Sequence, residues 1–412
     1  MHIAITTPEF VTEKDFGAGL ANYTANIARI LSKNGHRVSV FVASTENATL
    51  IWEEGITVYR VLVEDLPDKI KSIKIKYVQR ILRYAWNLLG KSFLINRRIR
   101  SVNEKDKIDV VHFCSSEALA MFKNKKIPAV VRLSTYLPMV RHSQLPIFDY
   151  EKSLNSLNLI EILQLIAARK GDYIFAPSNV VANLTEQKIR KSIAVIESPF
   201  YINAEQIDYM LYKKFFCEKN YFIFYGTLCY IKGIHTIAHV LNRFFEACPN
   251  YYFIFVGYSQ KIVFDNEKID AMEYIYRFIP QFHDKVFYFP ATKNKEQLYG
   301  LVKNACACVL PSRFDNLPNT CIESMALGQI VIGTNGASFE QLIDDGVNGF
   351  LIERENEAQL YDKMVKVTKL SQDERKNICK RAKETVERLR PEKIYPQVVE
   401  IYEKAIKKKD KK

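Results

Sequence analysis

The strongest constraint on how this chain folds is a series of short, apolar runs that occurs twice. The first series comprises "HIAITT" (2–7), "HRVSVFVA" (36–43), "ITVYRVLV" (56–63), "DVVHFC" (109–114), "AVVRLS" (129–134), "DYIFAPS" (172–178) and "IAVIES" (193–198). Stretches of helical period separate most of them, beginning with one that reaches Asn34. A strand with one wet face alternates apolar and polar residues, whereas a run that is apolar throughout needs cover on both faces. Such runs alternating with helices predict an α/β fold around a mostly parallel sheet.

The pattern lapses across "YINAEQIDYMLYKKFFCEKN" and then resumes. The second series is "YFIFYG" (221–226), "YYFIFVG" (251–257), "VFYFPA" (286–291), "ACACVLPS" (305–312), "IVIGTN" (330–335) and "GFLI" (349–352). This predicts two doubly wound domains, 1–200 and 219–390, with a linker at 201–218 and a closing helix and basic tail at 391–412. A length of 412 residues agrees, because one hydrophobic core rarely serves so long a chain. Ligands of such sheets bind beyond the carboxyl ends of the strands, so a cleft between the domains is the expected site.

Composition excludes several classes. With 48% hydrophobic residues, 15 Gly and 14 Pro, no part reads as low-complexity. The eight cysteines show neither metal-ligand nor disulfide-framework spacing, which suits a reducing compartment. Cys306 and Cys308 sit in an apolar run and read as core. The opening "MHIAITTP" lacks the basic start and apolar stretch of a leader, and no run reaches the about 18 apolar residues of a spanning helix. A cytoplasmic location is expected.

The net charge of +13 is concentrated in two places. Residues 69–100 hold ten Lys or Arg and no acid, and 407–412 hold five Lys and one Asp. On a helix, Ile70, Ile73, Tyr77, Ile81, Tyr84, Ala85 and Leu88 form one apolar stripe, with Lys69, Lys76, Arg80 and Arg83 beside it. This fits an ordinary domain helix with a solvated face. It equally fits an interfacial helix on an anionic membrane, where each nearby basic residue contributes about 1 kcal/mol, and so a peripheral position on the inner face of a membrane. No recognition fold accompanies the patch, so nucleic acid is not an expected partner.

The stretch with the most chemistry is "PSRFDNLPNTCIESMALGQIVI" (311–332). Asp315 and Glu323 flank a loop and a short helix from about Asn319 to Leu327, between two apolar runs. Asn319 and Thr320 suit a helix start and Pro318 fits the entry, so unpaired N–H groups there would favour an anion. Taken alone, the two carboxylates also suit a solvated helix cap. His235 and His239 have the i, i+4 spacing of a metal pair, but Thr236 stands where the zinc-protease motif needs Glu, and no metal is expected.

The order PS, acid, seven residues, "ESMALG", then "VIGTNGASFEQLIDDGVNGFL" resembles the donor-site block of family 4 glycosyltransferases. "YFIFYGTLCYIKGIHTI" is similar to that family's strand, G-R-x4-K-G, helix pattern, and "GAGLANYTANIARILSKNGHRVSV" to its opening glycine loop, helix and strand. The resemblance implies a GT-B fold of two Rossmann-like domains, with the last helix, marked by Ile394, Val398, Ile401 and Tyr402, returning to the first domain. It implies a retaining, metal-independent hexosyltransferase without a cofactor, moving a sugar from a UDP- or GDP-sugar to a hydroxyl acceptor, in surface polysaccharide or glycolipid synthesis. Its alternative is a non-catalytic partner subunit of a glycan-assembly complex.

Carried over residue by residue, Lys232 aids the diphosphate and Asp315 lies near the transferred sugar, as the catalytic pair. Glu323 grips the ribose hydroxyls. Gly19, Gly226, Thr227, Asn316, Leu317, Asn319 and Thr320 belong to the donor site, and groups near Ala291 and Thr292 read the base. His112, Arg132 and Ser134 are acceptor-side candidates; for His112, core packing is equally open. This chain departs from the family pattern at Asp315 (usually Glu), at Thr227 (Arg) and at Ser134 (His), with Arg132 nearby as a substitute cation.

Overall fold

The computed structural model describes residues 1–14, 18–63, 72, 75–202, 206–291 and 294–411. They cluster into two units, one of residues 1–138, 155–199 and 391–412, the other of 139–154 and 200–390.

The first unit is built on an eight-stranded sheet. Its strands are β1 (His2–Thr7), β2 (Arg37–Ser44), β3 (Ala48–Trp52), β4 (Ile56–Leu62), β5 (Val110–Cys114), β6 (Ala129–Arg132), β7 (Tyr173–Ala176) and β8 (Ala194–Val195), in the order β3-β4-β2-β1-β5-β6-β7-β8. All pairs are parallel except β3 on β4. Every residue of β1 and β5 is buried, as two covered faces require. The helix Ala18–Lys33 follows β1 and presents Ala21, Ala25, Ala28 and Leu31 to the core at helical spacing.

The helix Pro391–Asp410 packs across β5, β6 and β7 of this same sheet. Ile394, Val398, Ile401, Tyr402 and Ala405 are all at most 5% exposed. Burying each of the larger apolar side chains contributes about 1.5–3 kcal/mol, enough to hold the chain's last segment on the first unit.

The second unit has a six-stranded parallel sheet: β9 (Asn220–Tyr225), β10 (Tyr251–Gly257), β13 (Val286–Pro290), β14 (Cys308–Leu310), β15 (Val331–Thr334) and β16 (Phe350–Ile352), with a small hairpin of β11 (Lys261–Phe264) and β12 (Glu267–Asp270). The order is β13-β10-β9-β14-β15-β16. Its centre is aromatic: Phe222, Phe224, Phe244, Phe253 and Phe255 are essentially inaccessible, with Phe222 and Phe244 packed edge to face at 5.3 Å. The chain builds outward from β9 through β10 to β13 on one side, then restarts at β14 on the other. The reversal of strand order between β9 and β14 marks the position where doubly wound sheets take their ligands.

The basic helix is observed as Lys76–Lys105, longer than its stripe. Its second half packs inward through Leu88, Ile95 and Ile99, while Ile75, Val78 and Phe93 are exposed. Lys69, Ile70 and Ile73, and the side chains of Tyr77, Arg80, Ile81 and Tyr84, lie outside the described residues. Among the described residues no helix is long and apolar enough to cross a membrane.

Candidate functional site

The loop after β9 is shaped by two glycines. Gly226 (φ 136°) ends the strand, and its N–H donates to the carbonyl of Val256 at 2.9 Å. A single helical turn, Tyr230–Lys232, then leads through Gly233 (φ 75°) into the helix Ile234–Ala247. A Cβ at Gly233 would stand 1.9 Å from the carbonyl oxygen of Pro311, so only glycine lets this turn press against the exit of β14. The N–H of Arg313 donates to the carbonyl of Ile231 at 2.9 Å and locks the two loops together.

This close approach brings Lys232 and Asp315 into an ion pair, Nζ to Oδ2. The other carboxylate oxygen of Asp315 accepts the N–H of Asn316 at 2.9 Å, and its carbonyl accepts the hydroxyl of Ser338 at 2.9 Å. Burial opposes the charge on Lys232, yet the adjacent Asp315 carboxylate outweighs it and holds the ammonium above the usual lysine value. The Lys232 side chain is still 31% exposed, so a charged donor faces solvent from between the two central strands.

The helix Asn319–Ala326 begins beside this pair. Its N-cap is Pro318, which supplies no side-chain cap, so the first-turn N–H groups have none from this position. Tyr225, the last residue of β9, fastens the helix by donating to the carbonyl of Thr320 at 2.6 Å, with Ser324 Oγ at 2.9 Å. Leu317 is buried, Asn319 is exposed, and Thr227, Asn316 and Thr320 are partly exposed. The Asn316 N–H, at a residue expected in the donor site, donates to Asp315 Oδ1.

Glu323 sits on the same helix, 7% exposed. Its Oε1 accepts from Lys295 Nζ at 3.1 Å and from the Tyr299 hydroxyl at 3.3 Å; among the described residues Oε2 has no partner. Burial, then the charge of Glu323, pushes the Tyr299 hydroxyl far up, so it remains a donor. Sequence reading did not single out Lys295 and Tyr299. Their i, i+4 spacing on the helix Lys295–Lys303, capped by Asn294, was the available signal. Ala291 lies exposed just past β13, on the same sheet edge as Gly257; Thr292 falls outside the described residues.

A second charged group stands behind the Lys232 turn. Arg313, 1% exposed, donates to the carbonyls of Ser143, Leu145 and Pro146 and pairs through Nε at 2.8 Å with Glu355. His235 Nε2 meets the same Glu355 oxygen at 2.8 Å, while His239 is held by Glu357 at 2.5 Å and Tyr274 at 2.9 Å. The two histidines thus serve glutamates, and no metal-ligating cluster occurs among the described residues.

Three expected residues belong to the first unit, His112 and Arg132 in its sheet and Ser134 just past β6. His112 is not at a strand end: it lies inside β5, 2% exposed, with Nδ1 2.6 Å from the hydroxyl of Tyr402. The acceptor-side reading of His112 is therefore corrected to a packing role, joining the final helix to the sheet. Burial, then the Arg132 charge, lowers its pKa to about 3 and keeps the ring neutral. Arg132 lies 3.5 Å over the Tyr23 ring and donates to Ser198 Oγ at 3.1 Å. Ser134 Oγ is 3.0 Å from Cys114 Sγ. Gly19, in the first helix, has open space where a Cβ would stand.

Two family models match the chain: "Glycosyltransferase Family 4" over residues 17–200 and "Glycosyl transferases group 1" over residues 213–386. An uncharacterized glycosyltransferase from Methanocaldococcus jannaschii is 21% identical over 346 residues, 82% of this chain and 86% of its own. Among solved structures, sucrose-phosphate synthase from Thermosynechococcus elongatus superposes with a TM-score of 0.73 at 15% identity, covering 98% of both chains. Anabaena HepE in complex with UDP-glucose superposes with a TM-score of 0.69 at 14% identity, covering 98% of this chain and all of that one.

Proposed function

Because this chain belongs to the group 1, family 4 glycosyltransferases and has the GT-B architecture of two Rossmann-like units, we propose that it moves a hexose from a nucleoside-diphosphate sugar to a hydroxyl. The observation that carries this reading is the Lys232–Asp315 pair between the two central strands of the second unit, beside a helix start without a side-chain cap. An ammonium beside a helix start is the pairing of charge and backbone donors that would receive a diphosphate, which supports the reading. As the bond from sugar to phosphate breaks, negative charge grows on the leaving diphosphate. A preplaced cation at such a position is worth about 10²- to 10³-fold in rate.

The other roles follow from chemistry. Glu323 offers a carboxylate oxygen to a vicinal diol, and Lys295 and Tyr299 fix its rotamer from the other oxygen, so it binds ribose without first being ordered. Asp315 lies within reach of sugar hydroxyls once the diphosphate draws Lys232 away from it. Ala291 and its neighbours at the end of β13 read the base. In a retaining, metal-independent reaction the leaving phosphate accepts the proton of the attacking hydroxyl, and no separate base is required. Gly19, Arg132 and Ser134 keep their assignments on resemblance to the family alone.

UDP or GDP is the proposed carrier, in line with the UDP-glucose bound by HepE, and the acceptor is a lipid-linked or polymeric glycan. The exposed Ile75 and Val78 at the head of the basic helix support attachment to an anionic membrane surface. Incubation with a panel of nucleotide sugars and mass spectrometry of the products tests the reaction. Transfer from at least one donor is expected. Binding of a nucleotide without transfer from any donor would make the chain a non-catalytic subunit, a reading favoured by Thr227 standing where the family pattern has Arg. Loss of sedimentation with anionic vesicles as salt rises checks the membrane contact.

A further inference from the structure

The first unit carries a concentration of charge that donor chemistry does not use. Asp172 stands just before β7, and its carboxylate accepts the N–H of Ala129 at 2.9 Å and pairs with Lys409 at 3.1 Å and Lys123 at 3.5 Å. Both oxygens are thereby occupied. Two more ammoniums arrive at the same place. Lys191 donates to the carbonyls of Gly171 and, at 3.4 Å, Arg169; Lys408 donates to the carbonyl of Asp172 at 3.2 Å. Neither makes an ion pair among the described residues, and the other acid nearby, Glu400, is taken by Lys404 at 2.7 Å.

Asp172, Lys191 and Lys408, with the Glu400–Lys404 pair, line a cavity of about 510 Å³ between the short edge strand β8 and the helix Pro391–Asp410; Lys123 and Lys409 reach Asp172 from outside that lining. Lysines at the end of a helix are ordinary, since its terminal carbonyls favour cations. That accounts for Lys408 and Lys409 but not for Lys123 and Lys191, which come from separate loops. Burial first, and then the ammonium of Lys408, holds Lys191 below the usual lysine value; burial does the same to Lys123. Crowded ammoniums facing one saturated carboxylate are unfavourable unless an anion joins them.

We propose that this cavity binds a phosphate-bearing anion, gripped by Lys191 and Lys408 with Lys123 and Lys409 behind them. Phosphate fits better than a carboxylate because its oxygens are tetrahedrally disposed and can each accept from a different ammonium. The cavity volume suits a phosphorylated small molecule or a lipid headgroup. Every residue involved lies in the first unit, so the site stands apart from the donor reading.

The test is limited lysine acetylation of the full-length protein, mapped by mass spectrometry during titration with inorganic pyrophosphate. Protection of Lys191 and Lys408 well beyond that given by sodium chloride of equal ionic strength is expected, and Lys232→Ala leaves it unchanged. In a Lys191→Ala/Lys408→Ala variant, the pyrophosphate needed to protect Lys123 and Lys409 rises about tenfold or more for each ammonium removed. Sedimentation with vesicles of phosphatidic acid in phosphatidylcholine identifies the source. Binding lost in the double variant assigns a lipid phosphate, and unchanged binding with pyrophosphate protection intact assigns a soluble one. Protection no better than with chloride, or full protection of Lys123 and Lys409 in the double variant, overturns the site.

Discussion

The two units share one architecture and treat the carboxyl ends of their strands differently. In the second, the segments after β9, β13 and β14 pair a partly exposed lysine with a more buried carboxylate: Lys232 with Asp315, and Lys295 with Glu323. In the first, most polar groups at the ends of β5 and β6 are met from within the unit, with Arg132 over the Tyr23 ring and Ser134 hydrogen-bonded to Cys114, while His112 within β5 is bonded to Tyr402 and, among the described residues, the buried Arg132 Nε has no partner. A doubly wound sheet supplies the location of a site, and the side chains decide whether it holds a reactive charge or a sealed core.

Substitutions can break this contrast. Lys232→Ala removes the cation, and turnover under saturating substrates falls about 10²- to 10³-fold with the fold intact by circular dichroism. Gly233→Ala forces a Cβ against the Pro311 carbonyl in a left-handed backbone, costing about 3 kcal/mol or more in denaturant titrations. The corresponding change in the first unit, Gly19→Ala, meets open space and shifts stability by at most about 1 kcal/mol, in the stabilising direction for a helical position. A smaller loss from Gly233→Ala than from Gly19→Ala would reverse the comparison.

The sealed core has its own signature in pH. His112 titrates near 6.5 when unfolded and at about 3 when folded, so the unfolded chain takes up its proton first. Its contribution is complete above about pH 6.5 and is lost as pH falls from there toward 3, at up to about 1.4 kcal/mol per pH unit. Urea titrations between pH 7 and 5 detect this slope, and His112→Asn reduces it. An unchanged slope in the variant would place the histidine in a solvated setting.

Much of the second unit was legible because its chemistry rests on local order along the chain. The run "YYFIFVG" is β10 residue for residue, and the helix predicted near 319–327 spans Asn319–Ala326. The run "ACACVLPS" yields only Cys308–Leu310 as strand, because Ala305 still closes the preceding helix through the carbonyl of Val302. Pairings between distant segments were not legible. His112 meets Tyr402 across 290 residues, and nothing near "DVVHFC" announces that partner. Lys295 and Tyr299 reach Glu323 from a helix whose own sequence is ordinary. The lysines around Asp172 converge from three segments, so the sequence showed a basic tail but not what it joins.

The most direct measurement is calorimetric titration of UDP, GDP and their 2′-deoxy analogues into the wild type, Lys232→Ala and Glu323→Gln. Tight binding of one ribonucleotide is predicted, with the deoxy analogue weaker by about 1.5–3 kcal/mol, that preference erased by Glu323→Gln and overall affinity lowered by Lys232→Ala. A nucleotide bound with equal affinity by all three proteins would contradict the placement of the donor on the second unit's sheet edge.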